Sequence, residues 1–195
     1  MDKPRQLILA SGSRYRKALL GRLGLPFEVA VPDVDESARS GEAPADTALR
    51  LAVLKARALE RQYAGALIIG SDQVASSGGQ RFDKPGNHEN ARRQLRELSG
   101  KTAQFDTAVA LLDAGNGGVQ TRVVPCRITF RALDEALIER YLEKEQPYDC
   151  AGAAKAEGLG IALIQRIETE DPTALIGLPL IALSEMLRRA GLAVP

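Results

Sequence analysis

Asp72 closes the apolar run Leu67-Ile68-Ile69-Gly70-Ser71, and a second acidic group, Asp33, Asp35 and Glu36, follows the strand-like segment Phe27-Glu28-Val29-Ala30-Val31. Carboxylates at strand ends in an open α/β sheet tend to face the ligand crevice, and a Mg²⁺-type ion is held by such oxygens together with substrate phosphates. The same residues also suit a charged loop and, for Asp72, a turn that hydrogen-bonds its own backbone. From Leu7 to Lys17 the chain reads as a strand, the small turn Ser11-Gly12-Ser13, and a helix with Arg14, Arg16 and Lys17 in its first turn. Cations are disfavoured at the positive end of a helix dipole. The arrangement therefore suits a bound anion such as phosphate, or a solvated basic face. Lys55 and Lys84 are either further phosphate partners or solvated lysines. In Ala151-Gly152-Ala153-Ala154-Lys155-Ala156-Glu157-Gly158, small residues let a flat ligand approach the backbone. If extended, that segment points Lys155 and Glu157 to one side; otherwise it is a flexible loop.

Composition removes other chemistries. Lys plus Arg (26) against Asp plus Glu (25) leaves a net charge of +1 in 195 residues, without the basic excess of a nucleic-acid or membrane-surface binder. There is no Trp, and four Tyr and four Phe cannot furnish a platform of stacked bases. One histidine excludes a multi-histidine zinc site, and His88, in the polar segment Gly86-Asn87-His88-Glu89-Asn90, reads as solvated near a helix start. Cys126 and Cys150 cannot build a disulfide framework and fit a reduced, cytoplasmic compartment. The uncharged, mostly apolar run Ala174 to Ser184 is broken by Pro179 and falls far short of the roughly 18–20 residues of a membrane span. Leu7 to Ala10 is too little for a signal peptide. Ser99-Gly100-Lys101-Thr102 has the tail of a phosphate-binding P-loop, but Leu95 replaces its first glycine and a helix precedes it, so no phosphate nest forms there.

The elements that must position these residues alternate. Strands are expected at Gln6–Ala10, Phe27–Val31, Ala66–Gly70 and Gly160–Ile167. Helices are expected from Arg14 to Leu23, after an N-cap at Asp46, from Glu89 to Leu98, from Asp134 to Lys144, and from Pro179 to near Gly191. Thr102–Asp113 and Val119–Phe130 flank Gly115-Asn116-Gly117-Gly118 as a hairpin. Pro32 to Pro44 is a long acidic loop of the kind that is functional or mobile. The fold class is α/β with a mixed sheet.

Taken together, the segments resemble the Maf family of nucleoside triphosphate pyrophosphatases over essentially the whole chain. The carriers are Leu7-Ile8-Leu9-Ala10-Ser11-Gly12-Ser13 with Arg16, Val34-Asp35-Glu36, the Lys55 helix, Gly70-Ser71-Asp72-Gln73, Lys84-Pro85, Leu98-Ser99-Gly100-Lys101 and Ile176-Gly177-Leu178-Pro179-Leu180. Within the family, Asp72-Gln73, Lys155-x-Glu157-Gly158 and Tyr15 look like the branch that hydrolyses 7-methyl-GTP rather than the dTTP/UTP branch. Arg14 stands where the family usually has Pro, Lys17 where a second Arg is common, and Asp83 where Gly is typical.

The resemblance implies one Maf-like domain over 1–195, a mixed twisted sheet with flanking helices in two lobes around a nucleotide cleft. It implies hydrolysis between the α- and β-phosphates with a divalent cation, Mg²⁺ or Mn²⁺. Asp72 matches the proton acceptor. Ser11, Arg16, Lys55 and Lys84 match phosphate positions, Glu36 and Asp72 metal positions, and Tyr15, Gln73 and Glu157 the positions that choose the substrate. The partner is a small nucleotide, with no membrane, no stable nucleic-acid binding and room for a homodimer. Two other functions stay open: a non-catalytic nucleotide- or nucleic-acid-binding regulator of septum formation, and a dTTP/UTP-preferring pyrophosphatase.

Overall fold

The computed structural model describes residues 5–194. In chain order its elements are β1 (Leu7–Ala10), α1 (Arg14–Gly21), β2 (Glu28–Ala30), α2 (Pro44–Ala58), β3 (Leu67–Ser77), β4 (Gln80–Phe82), α3 (His88–Leu98), β5 (Thr102–Asp113), β6 (Gly118–Phe130), α4 (Glu135–Glu145), β7 (Ile164–Thr169), α5 (Pro172–Ile176) and α6 (Leu180–Arg189), with short 3₁₀ helices at Ala151–Ala153 and Leu159–Leu163. These divide into two units. One holds the described residues up to Gln73, Thr107–Val124 and those from Asp171 onward; the other holds Val74–Asp106 and Pro125–Glu170.

In the first unit the strand order begins β2-β1-β3-β5-β6. β1 is parallel to both neighbours, with Leu9 opposite Val29 on β2 and Ile69 on β3. Every residue of β1 is buried, as a parallel strand covered on both faces requires. The side chains alternate between two cores. Leu7, Leu9, Leu67 and Ile69 pack with Leu19 and Leu20 of α1 and Leu183 and Leu187 of α6. Ile8, Ala10 and Ile68 pack with Ala56 of α2 and Leu59. The crossover helices α1 and α2 therefore cover opposite faces, and the chain leaves β1 in one direction and reaches β3 from the other. Ligands bind at such switch points, beyond the carboxyl ends of the strands.

In the second unit β4 pairs antiparallel with the end of β3, Ala75 opposite Phe82, and β7 pairs antiparallel with β6, Ile128 opposite Ile167. Asn87 and Asp134 cap α3 and α4 by accepting from the Asn90 and Leu137 amides. The buried faces of these helices, Leu95 and Leu98 on one and Ile138, Tyr141 and Leu142 on the other, follow helical spacing.

The hairpin β5–β6 and the cap Asp134 lie where the sequence places them. Other expectations need correction. β3 runs on through Asp72 to Ser77, so Asp72 is inside a strand and not at its end. α2 begins at Pro44 after an extended Ala43, and Asp46 sits in its first turn instead of capping it. Proline is pre-organised for the first helical position, which explains the earlier start. Gly160 belongs to a 3₁₀ helix and its strand begins at Ile164. α6 begins at Leu180, with Pro179 as its extended cap residue.

Candidate active site

The site is built outward from the end of β1. The Ser11 hydroxyl accepts from the Ser13 amide at 3.1 Å, and Ser13 caps α1 by accepting from the Arg16 amide at 3.4 Å. In the first turn of that helix, Arg16 donates through Nε to the Gly177 carbonyl at 2.8 Å and lies 3.5 Å from Ser11 Oγ through Nη1. Burial lowers the Arg16 pKa, and the charges of Asp72 and Glu36 offset only part of that. The guanidinium stays a cation, facing two carboxylates.

Those carboxylates converge on Lys55. Its ammonium donates to Asp72 Oδ1 at 2.7 Å and to Glu36 Oε2 at 2.6 Å. Lys55 and Asp72 are 5 % and 7 % exposed, a buried ion pair, whereas Glu36 is exposed. The contact depends on how closely α2 lies on β3. A Cβ on Gly70 would sit 2.0 Å from the Ala52 carbonyl oxygen and 2.9 Å from the Ala56 amide nitrogen. Glycine on the strand and alanines on the helix thus let the backbones meet, and Lys55, between those alanines, reaches Asp72 two residues beyond Gly70.

Glu36 comes from the long acidic loop, which is tied down. Arg50 of α2 grips Glu42 through Nε and Nη2 at 2.6 and 2.7 Å and the Ser37 carbonyl at 3.1 Å. The Thr47 hydroxyl also donates to Glu42, at 2.9 Å. Hydrogen bonding to Arg50 brings the Glu42 carboxyl down to about 2. Asp35 accepts from the Ser37 amide at 2.9 Å, a local turn role.

A second layer holds the strand side of the site. Asp171, 1 % exposed, accepts from Thr173 and from the Ile181 amide, and the Thr173 hydroxyl accepts from the Leu180 amide at 2.8 Å. The segment so fixed presents carbonyls. Gly177 takes Arg16 and the Ser71 hydroxyl (3.0 Å), while Ala174 and Leu175 take the Gln73 amide nitrogen at 3.0 and 3.1 Å. Gln73 Nε2 donates to Thr107 Oγ1 as well, at 2.8 Å. Its nitrogen is thus engaged by the protein, leaving Oε1 as the atom for any ligand. The sequence assigns no role to Arg50, Glu42 or Asp171, nor to Ser71 by itself within Gly70-Ser71-Asp72-Gln73; the N-cap pattern Asp171-Pro172-Thr173 is a local signal for Asp171.

The structure brings Ser11, Arg16, Glu36, Lys55 and Asp72 together in the first unit. Tyr15, beside them in sequence, has the Arg14 guanidinium 4.8 Å from its ring centroid, with Arg14 Nη2 donating to its hydroxyl at 2.7 Å. Lys84 and Glu157 belong to the second unit and are exposed. Lys155 and Glu157 do not share one face of a strand: Gly158 and Gly160 both donate to the Lys155 carbonyl, a turn, and Lys155 pairs with Glu145. His88 is half-buried rather than simply solvated, with Tyr148 at 3.1 Å and Glu139 at 2.8 Å.

Among the described residues, no group of three or more His, Cys, Asp or Glu side chains gathers as a metal-ligand set. Glu36 and Asp72 nevertheless aim at one cation, the Lys55 ammonium. Two hard carboxylates fit Mg²⁺ or Mn²⁺, which take one or two carboxylates and complete their shell with water and substrate phosphates. No helix among the described residues is long and apolar enough to cross a membrane.

A parallel α/β unit with clustered carboxylates and cations beyond its first strand defines a class, and comparison with known proteins makes it specific. The family model described as Maf-like protein matches residues 6–190, and the chain belongs to that family. It is 56 % identical to a 7-methyl-GTP pyrophosphatase of Thiobacillus denitrificans, over 96 % of this chain and 94 % of that protein. A protein of the same description from Bordetella pertussis is 55 % identical over 97 % of this chain and 94 % of its own length. Among solved structures, a HAM1 protein from Coxiella burnetii matches with a TM-score of 0.54 over 96 % of this chain and 98 % of that one. At 17 % identity, that likeness speaks to the fold alone.

Proposed function

We propose that the protein hydrolyses 7-methyl-GTP to 7-methyl-GMP and pyrophosphate, by attack of water at the α-phosphorus. The observation that carries the chemistry is the convergence of Asp72, Glu36, Lys55 and Arg16 beside Ser11. Identity of 53–56 % to proteins described as 7-methyl-GTP pyrophosphatases supports the substrate.

Phosphoryl transfer asks a protein mainly for positioning and charge neutralisation. In this reading Arg16 and Lys84 hold triphosphate oxygens, and Ser11 offers its hydroxyl to the same group. Asp72 takes the proton of the attacking water while the bond from the α-phosphorus to its bridging oxygen breaks and pyrophosphate leaves. Lys55 orients Asp72 by holding Oδ1, which leaves Oδ2 for the proton. Glu36 and Asp72 are the residues that would hold a divalent cation, which when bound offsets phosphate charge and makes water more acidic. No histidine is needed. The reading sets the enzyme in the cytoplasm, where nucleotides and reduced cysteines both belong.

The base is chosen by Tyr15, Gln73 and Glu157. An ionised Glu157 can accept from the guanine N1–H and exocyclic amine, a donor pair that pyrimidines lack. Gln73 contributes its Oε1 and, by its bonds to the carbonyls of 174 and 175, a fixed wall.

Asp72→Asn should keep the fold, read as an unchanged circular dichroism spectrum, and lower turnover by about 10²–10⁴-fold, the usual worth of a positioned general base. EDTA should abolish wild-type activity and Mg²⁺ or Mn²⁺ should restore it. Full activity in chelator, or a near-wild-type Asp72→Asn enzyme, rejects the assignment.

A further inference from the structure

Helix α4 carries Tyr141 and Glu145 four residues apart, on one face, and both reach the segment that contains Glu157. The buried Tyr141 hydroxyl donates to the Ala153 carbonyl at 2.9 Å and accepts from the Lys155 amide at 3.1 Å. The Glu145 carboxylate, with its side chain 10 % exposed, accepts from the Leu159 amide at 2.6 Å through Oε2 and pairs through Oε1 with the Lys155 ammonium. Between these anchors the chain makes a tight turn: the Lys155 carbonyl accepts from the amides of Gly158 at 3.0 Å and Gly160 at 3.1 Å. A side chain at position 158 would have to push the Glu145 carboxylate aside. A Cβ there would lie 2.6 Å from Glu145 Oε2 and 2.9 Å from Cδ. The carboxylate therefore sits against the backbone of the turn, held from both ends, and Glu157 stands exposed between the two held residues.

We propose that Glu145 is a positioning residue for base selectivity: it fixes the 155–159 turn, so that Glu157 meets the base in one orientation. Lys155 serves the turn and not the substrate phosphates. A carboxylate on an unanchored Ala/Gly segment would have to be ordered each time substrate binds, and ordering residues costs free energy. Glu145 does this beforehand, through one charged pair and one charge-assisted amide bond. The proposal rests on the reading that Glu157 recognises guanine.

The test compares GTP with ITP, which lacks the exocyclic amine, on wild type, Glu145→Gln, Glu145→Ala and Glu157→Ala. Glu145→Ala should raise KM for GTP about ten- to hundredfold, the scale of a misplaced positioning group, with kcat within about threefold. The ratio of kcat/KM for GTP to that for ITP should fall towards one. Glu145→Gln, which keeps an oxygen for the Leu159 amide, should recover part of that ratio. A merely structural role would lower both substrates together and leave the ratio at its wild-type value, which overturns the proposal. Hydrogen exchange at the Leu159 amide gives a readout independent of substrate. It should quicken in Glu145→Ala, which removes the acceptor, and unchanged protection there also overturns the proposal. If Glu157→Ala keeps the wild-type GTP/ITP ratio, the guanine reading itself has failed. If Glu157→Ala loses the ratio and both Glu145 variants keep it, only the role of Glu145 has.

Discussion

Tyr15 shows how one side chain alters an expectation. N7-methylation puts a positive charge on the purine, and a cation over an aromatic face is worth roughly 0.5–2 kcal/mol. Here a cation is already present, the Arg14 guanidinium 4.8 Å from the ring centroid, at a position where proline is usual in the resemblance. A methylated base on that ring exchanges one cation for another, or must sit beside it, and the net gain shrinks. Arg14→Ala should therefore raise the preference for 7-methyl-GTP over GTP by about two- to fivefold, the equivalent of an exposed cation–π contact of roughly 0.5–1 kcal/mol. Steady-state kcat/KM for the two nucleotides measures this. A ratio that drops in Arg14→Ala would mean that Arg14 and not Tyr15 favours the methylated base. Gln73 belongs at the same scale. Its type and place were readable in the sequence, but the three acceptors that engage its nitrogen come from residues 107, 174 and 175, a neighbourhood no local pattern reveals.

At the scale of elements, the site depends on the distance between α2 and β3. Gly70→Ala puts a methyl 2.0 Å from a backbone oxygen, and backbone cannot step aside as a flexible side chain can. Overpacking of this kind costs about 1–3 kcal/mol or more. The variant should unfold at lower urea than wild type and lose activity disproportionately, because any shift of α2 withdraws Lys55 from Asp72. Wild-type stability and turnover in Gly70→Ala would contradict this. The acidic loop gives a pH signature. In the folded state the Glu42 carboxyl titrates at about 2, below its ordinary value of 4.5. Its stabilising contribution is therefore complete above the ordinary carboxylate range and is lost as pH falls through that range towards about 2. The difference in urea midpoint between wild type and Glu42→Gln should be largest near pH 7 and shrink by pH 3; an equal difference at both would contradict the clamp. The elements themselves were legible where a local signal sufficed: buried apolar runs for β1 and β3, Asp134 as a cap, glycines for the β5–β6 turn. They were misread where a neighbour decides. Asp72 looked like a strand end because polar residues follow it, yet pairing with β4 carries β3 on to Ser77. Gly160 to Leu163 looked like a strand because it is apolar, yet the turn held by Lys155 and Glu145 winds it into a 3₁₀ helix.

Across the whole molecule, a net charge of +1 gives no general field to gather polyanions, so selectivity must come from placed groups. Attack at the α-phosphorus and choice of base are assigned to different residues, and they can be scored in one experiment. Equal amounts of 7-methyl-GTP, GTP, dTTP and UTP, offered together in ¹⁸O-water with Mg²⁺, should yield 7-methyl-GMP first. The label should lie in the monophosphate, with one pyrophosphate released for each. The donor pair that Glu157 can accept from guanine, and the charge that Tyr15 meets on a methylated base, set 7-methyl-GTP ahead of the pyrimidines. If dTMP or UMP appears ahead of 7-methyl-GMP, or if free phosphate and diphosphates accumulate instead, the account is contradicted.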